Sequence, residues 1–78
     1  MNNVNLAGLE WSVERQNRGM LLRCLGPNHL TWGMRVQIQT LGRRLEQEGL
    51  GKQVGAWHVF VKDEPALFWM ILTDGASH

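Results

Sequence analysis

Two segments near the start of the chain distribute apolar residues as strands do. In Leu9–Glu14 every second residue is apolar, which is the period of a strand with one buried face. Met20–Leu25 is an apolar run broken by Arg23, and the residues between the two segments include the Asn and Gly that favour a tight turn. The pattern therefore predicts a hairpin. Its register pairs Val13 with Leu22 and Trp11 with Cys24.

A helix is predicted after the break at Gly26–Asn28. Asn28 or Thr31 suits the N-cap, because either side chain accepts a hydrogen bond from the first helical turn. Gly49 and Gly51 suit the end of the helix, where a left-handed residue often follows the last turn. Five apolar residues recur at helical spacing and predict one buried face, namely Leu30, Met34, Ile38, Leu41 and Leu45.

Two more strands are predicted in the last third of the chain. Gly55–Lys62 alternates between two sets of side chains and is typical of a strand. Asp63–Pro65 indicates a turn, because proline cannot donate to a sheet ladder. Ala66–Thr73 is apolar on both faces and is interpreted as the fourth strand. The register of this second hairpin pairs Val61 with Phe68, Val59 with Met70 and Trp57 with Leu72.

The order of elements predicts an α+β fold of the type strand-strand-helix-strand-strand. Four antiparallel strands with one helix packed on one face is the economical arrangement of these elements. With 78 residues the chain has the size of a single small domain, residues 1–78. Residues 1–8 and 74–78 are expected to be frayed, because they are polar and lie at the termini.

One helix covers only one face of such a sheet, so the other face is predicted to expose apolar side chains. Monomeric proteins rarely leave a large apolar patch uncovered. A second copy of the chain, a foreign protein, or the N-terminal segment with Val4 and Leu6 would each cover it. Phe60 and Trp69 are expected to form a cross-strand pair at its centre. The predicted interface residues are Phe60, Leu67, Trp69, Ile71, Leu21 and Arg23.

Charge changes this picture only slightly. The formal net charge is +1 with 44% apolar residues, which excludes intrinsic disorder but is low for a dedicated nucleic-acid binder. Nucleic-acid binding stays the alternative, because basic residues and sheet aromatics can hold phosphates and stack bases. The RNA-recognition signature is missing. The candidate contacts are Arg15, Arg18, Arg35, Arg43 and Arg44.

The sequence offers little to catalysis or metal binding. Cys24 is the one cysteine, and the histidines have no paired metal-ligand spacing. Cys24 with His29 or His58 would be a thiol–imidazole pair, but Cys24 is predicted to point into the core, where a thiol is inert. No catalytic residue, metal or cofactor is therefore predicted, and the chain is expected not to be an enzyme.

These patterns together predict a non-enzymatic protein-interaction module of the adaptor or inhibitor type, acting as a homodimer or on a protein partner. The longest apolar run, Ala66–Leu72, is too short for a bilayer, which takes about 20 residues. The first residues lack the pattern of a secretory signal, and the lone thiol suits a reducing compartment. We therefore expect a cytoplasmic protein without a membrane partner.

Overall fold

The structure, a computed structural model, describes residues 3–26 and 31–76. Within these ranges the chain forms five strands and two helices. All neighbouring strands are antiparallel, in the order β1-β2-β3-β5-β4. The elements are β1 (Asn3–Leu6), β2 (Leu9–Gln16), β3 (Gly19–Cys24), α1 (Trp32–Gln47), β4 (Gly51–Gln53), β5 (His58–Val61) and α2 (Glu64–Ala76).

The predicted class, α+β with an antiparallel sheet, is confirmed, but the count of elements is not. The sheet has one strand more than predicted at each edge, and a second helix takes the place of the predicted fourth strand. Side chains of both helices join the buried residues of β2, β3 and β5 in one apolar core. Both helices therefore pack on the same face of the sheet and leave the other face without a helical cover.

The start of the chain is a strand and not the frayed segment that we expected. β1 pairs with β2 through a two-residue turn in which Ala7 and Gly8 both have positive φ, at 55° and 74°. Trp11 is fully buried, and its indole N–H donates a hydrogen bond of 3.0 Å to the carbonyl of Leu6. This bond satisfies the polar atom of the tryptophan and fixes β1 to the core.

The hairpin of β2 and β3 has the predicted register. Trp11 lies opposite Cys24 and Val13 opposite Leu22. β3 then pairs with β5, so that Leu22 lies opposite Val59, which is fully buried. The apolar set of each strand therefore faces the helices.

α1 confirms the predicted helix. The Thr31 hydroxyl accepts a hydrogen bond of 3.2 Å from the Met34 amide, which makes Thr31 the N-cap. Gly49 follows the helix with a φ of 70°, as a left-handed terminal residue does. Asn28 and Leu30, also named in the prediction, lie outside the described residues. The other members of the predicted buried face are all buried, namely Met34, Ile38, Leu41 and Leu45.

The interpretation of Ala66–Thr73 as a strand is wrong, because this segment lies in α2. Asp63 caps the helix: its carboxylate accepts a hydrogen bond of 2.8 Å from the Ala66 amide. Pro65 lies in the first turn, where the proline N–H is not needed by the helix. The pairs predicted for Val61, Val59 and Trp57 with this segment are therefore wrong too. The backbone of residues 74–76, expected to be frayed, continues the helix, and residues 77–78 lie outside the described part.

β4 is a short edge strand where we expected only a connector. Lys52 lies opposite Phe60 of β5, and Gly51 lies opposite Val61. α1 runs beside this edge: a side chain at Gly42 of the helix would collide with Gln53, its Cβ lying 2.7 Å from the Gln53 Cβ. Glycine at this position lets α1 approach β4 closely.

Candidate interaction surfaces

α2 is apolar on the side that faces solvent as well as on the side that faces the sheet. Its inner side chains, Ala66, Leu67 and Met70, are buried in the core. On the outer side, Phe68 is 57% exposed, Trp69 40% and Leu72 72%. A helix that is apolar all round is typical of one that is buried on all sides. The outer side of α2 is therefore the first candidate surface.

The exposed residues of α2 form a continuous row along the helix axis. Pro65, Phe68, Trp69 and Leu72 are spaced by three, one and three residues, so all four lie on one side of the helix. We call this row the α2 stripe. Spacing of this kind is used by helices that place their apolar face into a groove or against another helix.

The α2 stripe borders α1 through an aromatic contact. The Arg44 guanidinium lies over the Trp69 ring at 5.9 Å from the ring centroid, in the range of a cation–π interaction. Arg44 also lines a shallow groove of about 190 Å³ together with Val36 and Thr40 of α1 and with Ala7. The stripe and this groove therefore form adjacent parts of one surface.

The face of the sheet opposite the helices is the second candidate surface, which we call the open sheet face. It is mixed in character: partly buried apolar side chains lie between exposed charges. Arg23 lies opposite His58, and Leu21 lies opposite Phe60. Its charged and aromatic members across the sheet are Glu10 and Glu14 of β2, Arg23 of β3, His58 and Phe60 of β5, and Lys52 of β4.

The structure divides the six predicted interface residues among three places. Phe60, Leu21 and Arg23 lie on the open sheet face, where we expected them. Leu67 is buried in the core, and Ile71 packs partly against the core. Trp69 is exposed, but it lies on α2 and on the other side of the sheet from Phe60, so the predicted Phe60–Trp69 pair is wrong.

The basic residues predicted to bind nucleic acid do not form one surface. Arg15 forms an ion pair with Glu64, and Arg44 lies over Trp69. Arg35 and Arg43 are exposed on α1, in the helical layer. Arg18 is exposed in the turn between β2 and β3. The sequence also predicted Arg23 and Lys62 beside Phe60 and Trp69 on the open face; Arg23 and Phe60 do share that face, whereas Trp69 lies on α2.

Cys24 and His58 do not form a thiol–imidazole pair. Cys24 points into the core, and burial raises the pKa of its thiol. His58 lies on the open sheet face opposite Arg23, on the other side of the sheet from the thiol. His29 lies outside the described residues. Within residues 3–26 and 31–76, no group of three His, Cys, Asp or Glu side chains is placed to hold a metal ion.

A cleft of about 290 Å³ lies between the N-terminal half of α2 and the inner face of the sheet. Val13, Met20 and Leu67 form part of its apolar wall, and Arg15 and Glu64 lie at its polar end. These two charged groups are paired with each other. The charged groups of the cleft are therefore engaged in holding α2 to β2.

Comparison of the chain with protein-family models, with curated proteins and with solved structures returned no match. In the described part of the chain, neither helix has the combination of length and hydropathy that crossing a membrane requires. What the protein does is therefore inferred from its two candidate surfaces.

Proposed function

We propose that the protein is a non-enzymatic interaction module that self-associates through the α2 stripe. The observation that carries this proposal is the apolar outer side of α2, where Phe68, Trp69 and Leu72 are all exposed. Covering apolar surface contributes about 25 cal/mol per Å², and central aromatic residues often dominate the energy of an interface. The predicted interface thus moves from the sheet to the second helix.

The spacing of the stripe favours a second copy of the same chain as the partner. Pro65, Phe68, Trp69 and Leu72 are arranged symmetrically about the midpoint of the row. When two copies of α2 lie antiparallel across a twofold axis, Pro65 of one copy meets Leu72 of the other and the aromatic residues meet at the axis. Such an isologous contact needs only one patch per chain, and antiparallel helix dipoles support it.

The surface beside the stripe enlarges the contact that a second copy can make. A standard interface buries about 800 Å² on each partner, which is more than one short helical row supplies. The groove formed by Val36, Thr40 and Arg44 adjoins Trp69 and supplies further apolar and polar surface. Arg44 is partly buried and already lies over the tryptophan ring. Its side chain therefore loses little conformational entropy on association.

The non-enzymatic part of the proposal is supported by the position of the reactive groups. The Cys24 thiol is buried, and its raised pKa keeps it protonated at neutral pH. A buried lone thiol also suits a reducing compartment, so we place the protein in the cytoplasm. An adaptor or inhibitor role would use the same α2 stripe on a foreign protein.

The experiment that tests the proposal is sedimentation velocity over a dilution series. The wild-type protein is expected to sediment as a dimer that dissociates on dilution. Leu72→Lys places a charge in the stripe and is expected to give a folded monomer at every concentration, with the far-ultraviolet circular dichroism spectrum of the wild type. Leu25→Lys is the matched control, because Leu25 is also exposed, at 41%, and lies outside the stripe.

A wild-type protein that is monomeric throughout the dilution series contradicts self-association. A dimer that persists in Leu72→Lys but is lost in Leu25→Lys contradicts the choice of α2. Circular dichroism of each variant separates loss of the fold from loss of the dimer.

A further inference from the structure

We propose that the open sheet face binds single-stranded nucleic acid, with a base stacked on the Phe60 ring and phosphates held by the lysine and arginine residues around it. This site lies on the side of the sheet away from the helices and does not depend on the α2 stripe. Aromatic side chains on sheets are common platforms for unpaired bases, because every base has a flat face.

The Phe60 ring lies against Gly19, the first residue of β3. A Cβ atom built on Gly19 would lie only 2.8 Å from the Phe60 Cε1, so the ring occupies the space that a side chain at residue 19 would need. Gly19 has a φ of 147°, a conformation that side-chain-bearing residues rarely adopt. Glycine at this position lets the ring lie across β3, and Phe60 stays partly exposed on the open sheet face.

Three exposed cations are neighbours of this ring or of Gly19 beneath it, in the sheet or along the chain. Lys52 lies directly opposite Phe60 on β4, and Lys62 is exposed two residues after Phe60, just beyond the end of β5. Arg18 precedes Gly19 in the turn that ends next to the ring. A fourth, Arg23, lies one row away on β3, opposite His58. In the described part of the chain, none of these four cations is within ion-pair distance of a carboxylate.

The carboxylates near this site either have partners elsewhere in the chain or lie on a more distant strand. A depression of about 360 Å³ beside Gly19 is lined by Arg18 and Lys62, and also by Asp63 and Glu64. The Asp63 carboxylate caps α2 and Glu64 is paired with Arg15. On the sheet itself, Glu14 lies on β2 and is separated from Phe60 by β3. β3, β4 and β5 themselves contain Arg23 and Lys52 but no Asp or Glu, so this part of the face is basic although the net charge of the chain is only +1.

Fluorescence anisotropy with two labelled probes of equal charge tests this proposal. One probe is an oligothymidylate of about 12 nucleotides, and the other is an abasic strand of the same length. The wild-type protein is expected to bind the oligothymidylate more tightly than the abasic strand. If three phosphates are neutralised, the logarithm of the association constant is expected to fall with the logarithm of the salt concentration with a slope of about −2.

Variants of the ring and of the cations separate stacking from charge. Phe60→Leu keeps an apolar side chain over Gly19 and is expected to weaken oligothymidylate binding by about tenfold while leaving abasic binding unchanged. Trp32→Leu, which removes an exposed aromatic side chain from α1, is the control and is expected to change neither. Lys62→Gln is expected to lower the salt slope by about 0.7, whereas Arg35→Gln on α1 leaves it unchanged.

Absence of oligothymidylate binding at low salt overturns the proposal. Equal affinity for the two probes also overturns it, because plain attraction of a polyanion needs no stacking. Ultraviolet cross-linking of the wild-type protein to a bromouracil strand needs no folded variant: a cross-link in the peptide that contains Phe60 supports the site, and one confined to α1 or α2 contradicts it.

Discussion

The two helices cover the same face of the sheet, but their solvent sides differ in chemistry. α1 buries Ile38 and Leu45 and presents polar residues such as Gln39 and Arg43 to solvent along most of its length. Its exposed apolar residues, Trp32 and Val36, are confined to its first two turns. α2 buries its inner side just as fully, yet its outer side carries Phe68, Trp69 and Leu72.

Core packing and surface chemistry are therefore set by opposite sides of each helix. The inner sides of α1 and α2 both fill the core against β2, β3 and β5. The outer side of α1 is mostly polar and is therefore stable in contact with water. The outer side of α2 exposes apolar area and is compatible with a second protein surface, which is why we propose α2 as the interface.

The largest loss of stability is expected when a buried residue on the inner side of either helix is replaced. Ile38 of α1 and Met70 of α2 are both fully buried, so replacing either with alanine removes core volume. Ile38→Ala and Met70→Ala are each expected to lower the free energy of unfolding by about 2–5 kcal/mol in urea titrations. A small effect of Met70→Ala beside a large effect of Ile38→Ala would show that α2 is not packed on the sheet as described.

A smaller loss of stability is expected when the side chain that caps the start of either helix is removed. The side chains of Thr31 and Asp63 each accept a hydrogen bond from an amide of the first turn. Thr31→Ala and Asp63→Ala are each expected to cost about 1 kcal/mol of stability. Thr31→Ser and Asp63→Asn keep a capping oxygen and are the matched controls. If Asp63→Ala has no effect while Thr31→Ala does, the capping of α2 by Asp63 is wrong.

The first hairpin and α1 were predictable because their patterns admit one interpretation. Alternation at Leu9–Glu14 has the period of a strand, and the spacing from Met34 to Leu45 has the period of a helix. Ala66–Leu72 is a continuous apolar run, and such a run fits a buried strand and a helix equally well. The deciding signal was local: Asp63 followed by Pro65 is a helix start, and we interpreted the same residues as a turn.

That single error explains why the candidate surface was only half predicted. In a strand, Leu67, Trp69 and Ile71 share one face because side chains alternate. In a helix, residues two apart differ by about 200° around the axis, so Leu67 is buried while Trp69 is exposed. The excess of apolar surface was predictable from the continuous apolar run Ala66–Leu72, but its location depended on the type of the last element.

β1 and β4 were missed for a different reason. β1 is polar on one side and short, and tertiary contacts stabilise it through the hydrogen bond from Trp11 to Leu6. β4 has only three residues, and its pairing with β5 depends on Gly51, where a side chain would collide with the Phe60 carbonyl. Neither strand has a hydrophobic pattern of its own from which it could be predicted.

Disulfide cross-linking of a mixture shows whether α2 packs against α2 of a second copy in antiparallel orientation. Pro65→Cys protein is mixed with Leu72→Cys protein under mild oxidation, while Cys24 stays buried in both. Antiparallel packing brings residue 65 of one copy to residue 72 of the other, but keeps two copies of residue 65 about 10 Å apart along the helix axis. A disulfide needs Cα atoms within about 7 Å. We expect a cross-linked dimer in the mixture and far less in either protein alone. Equal cross-linking in all three samples, or none in the mixture, rules out the antiparallel contact.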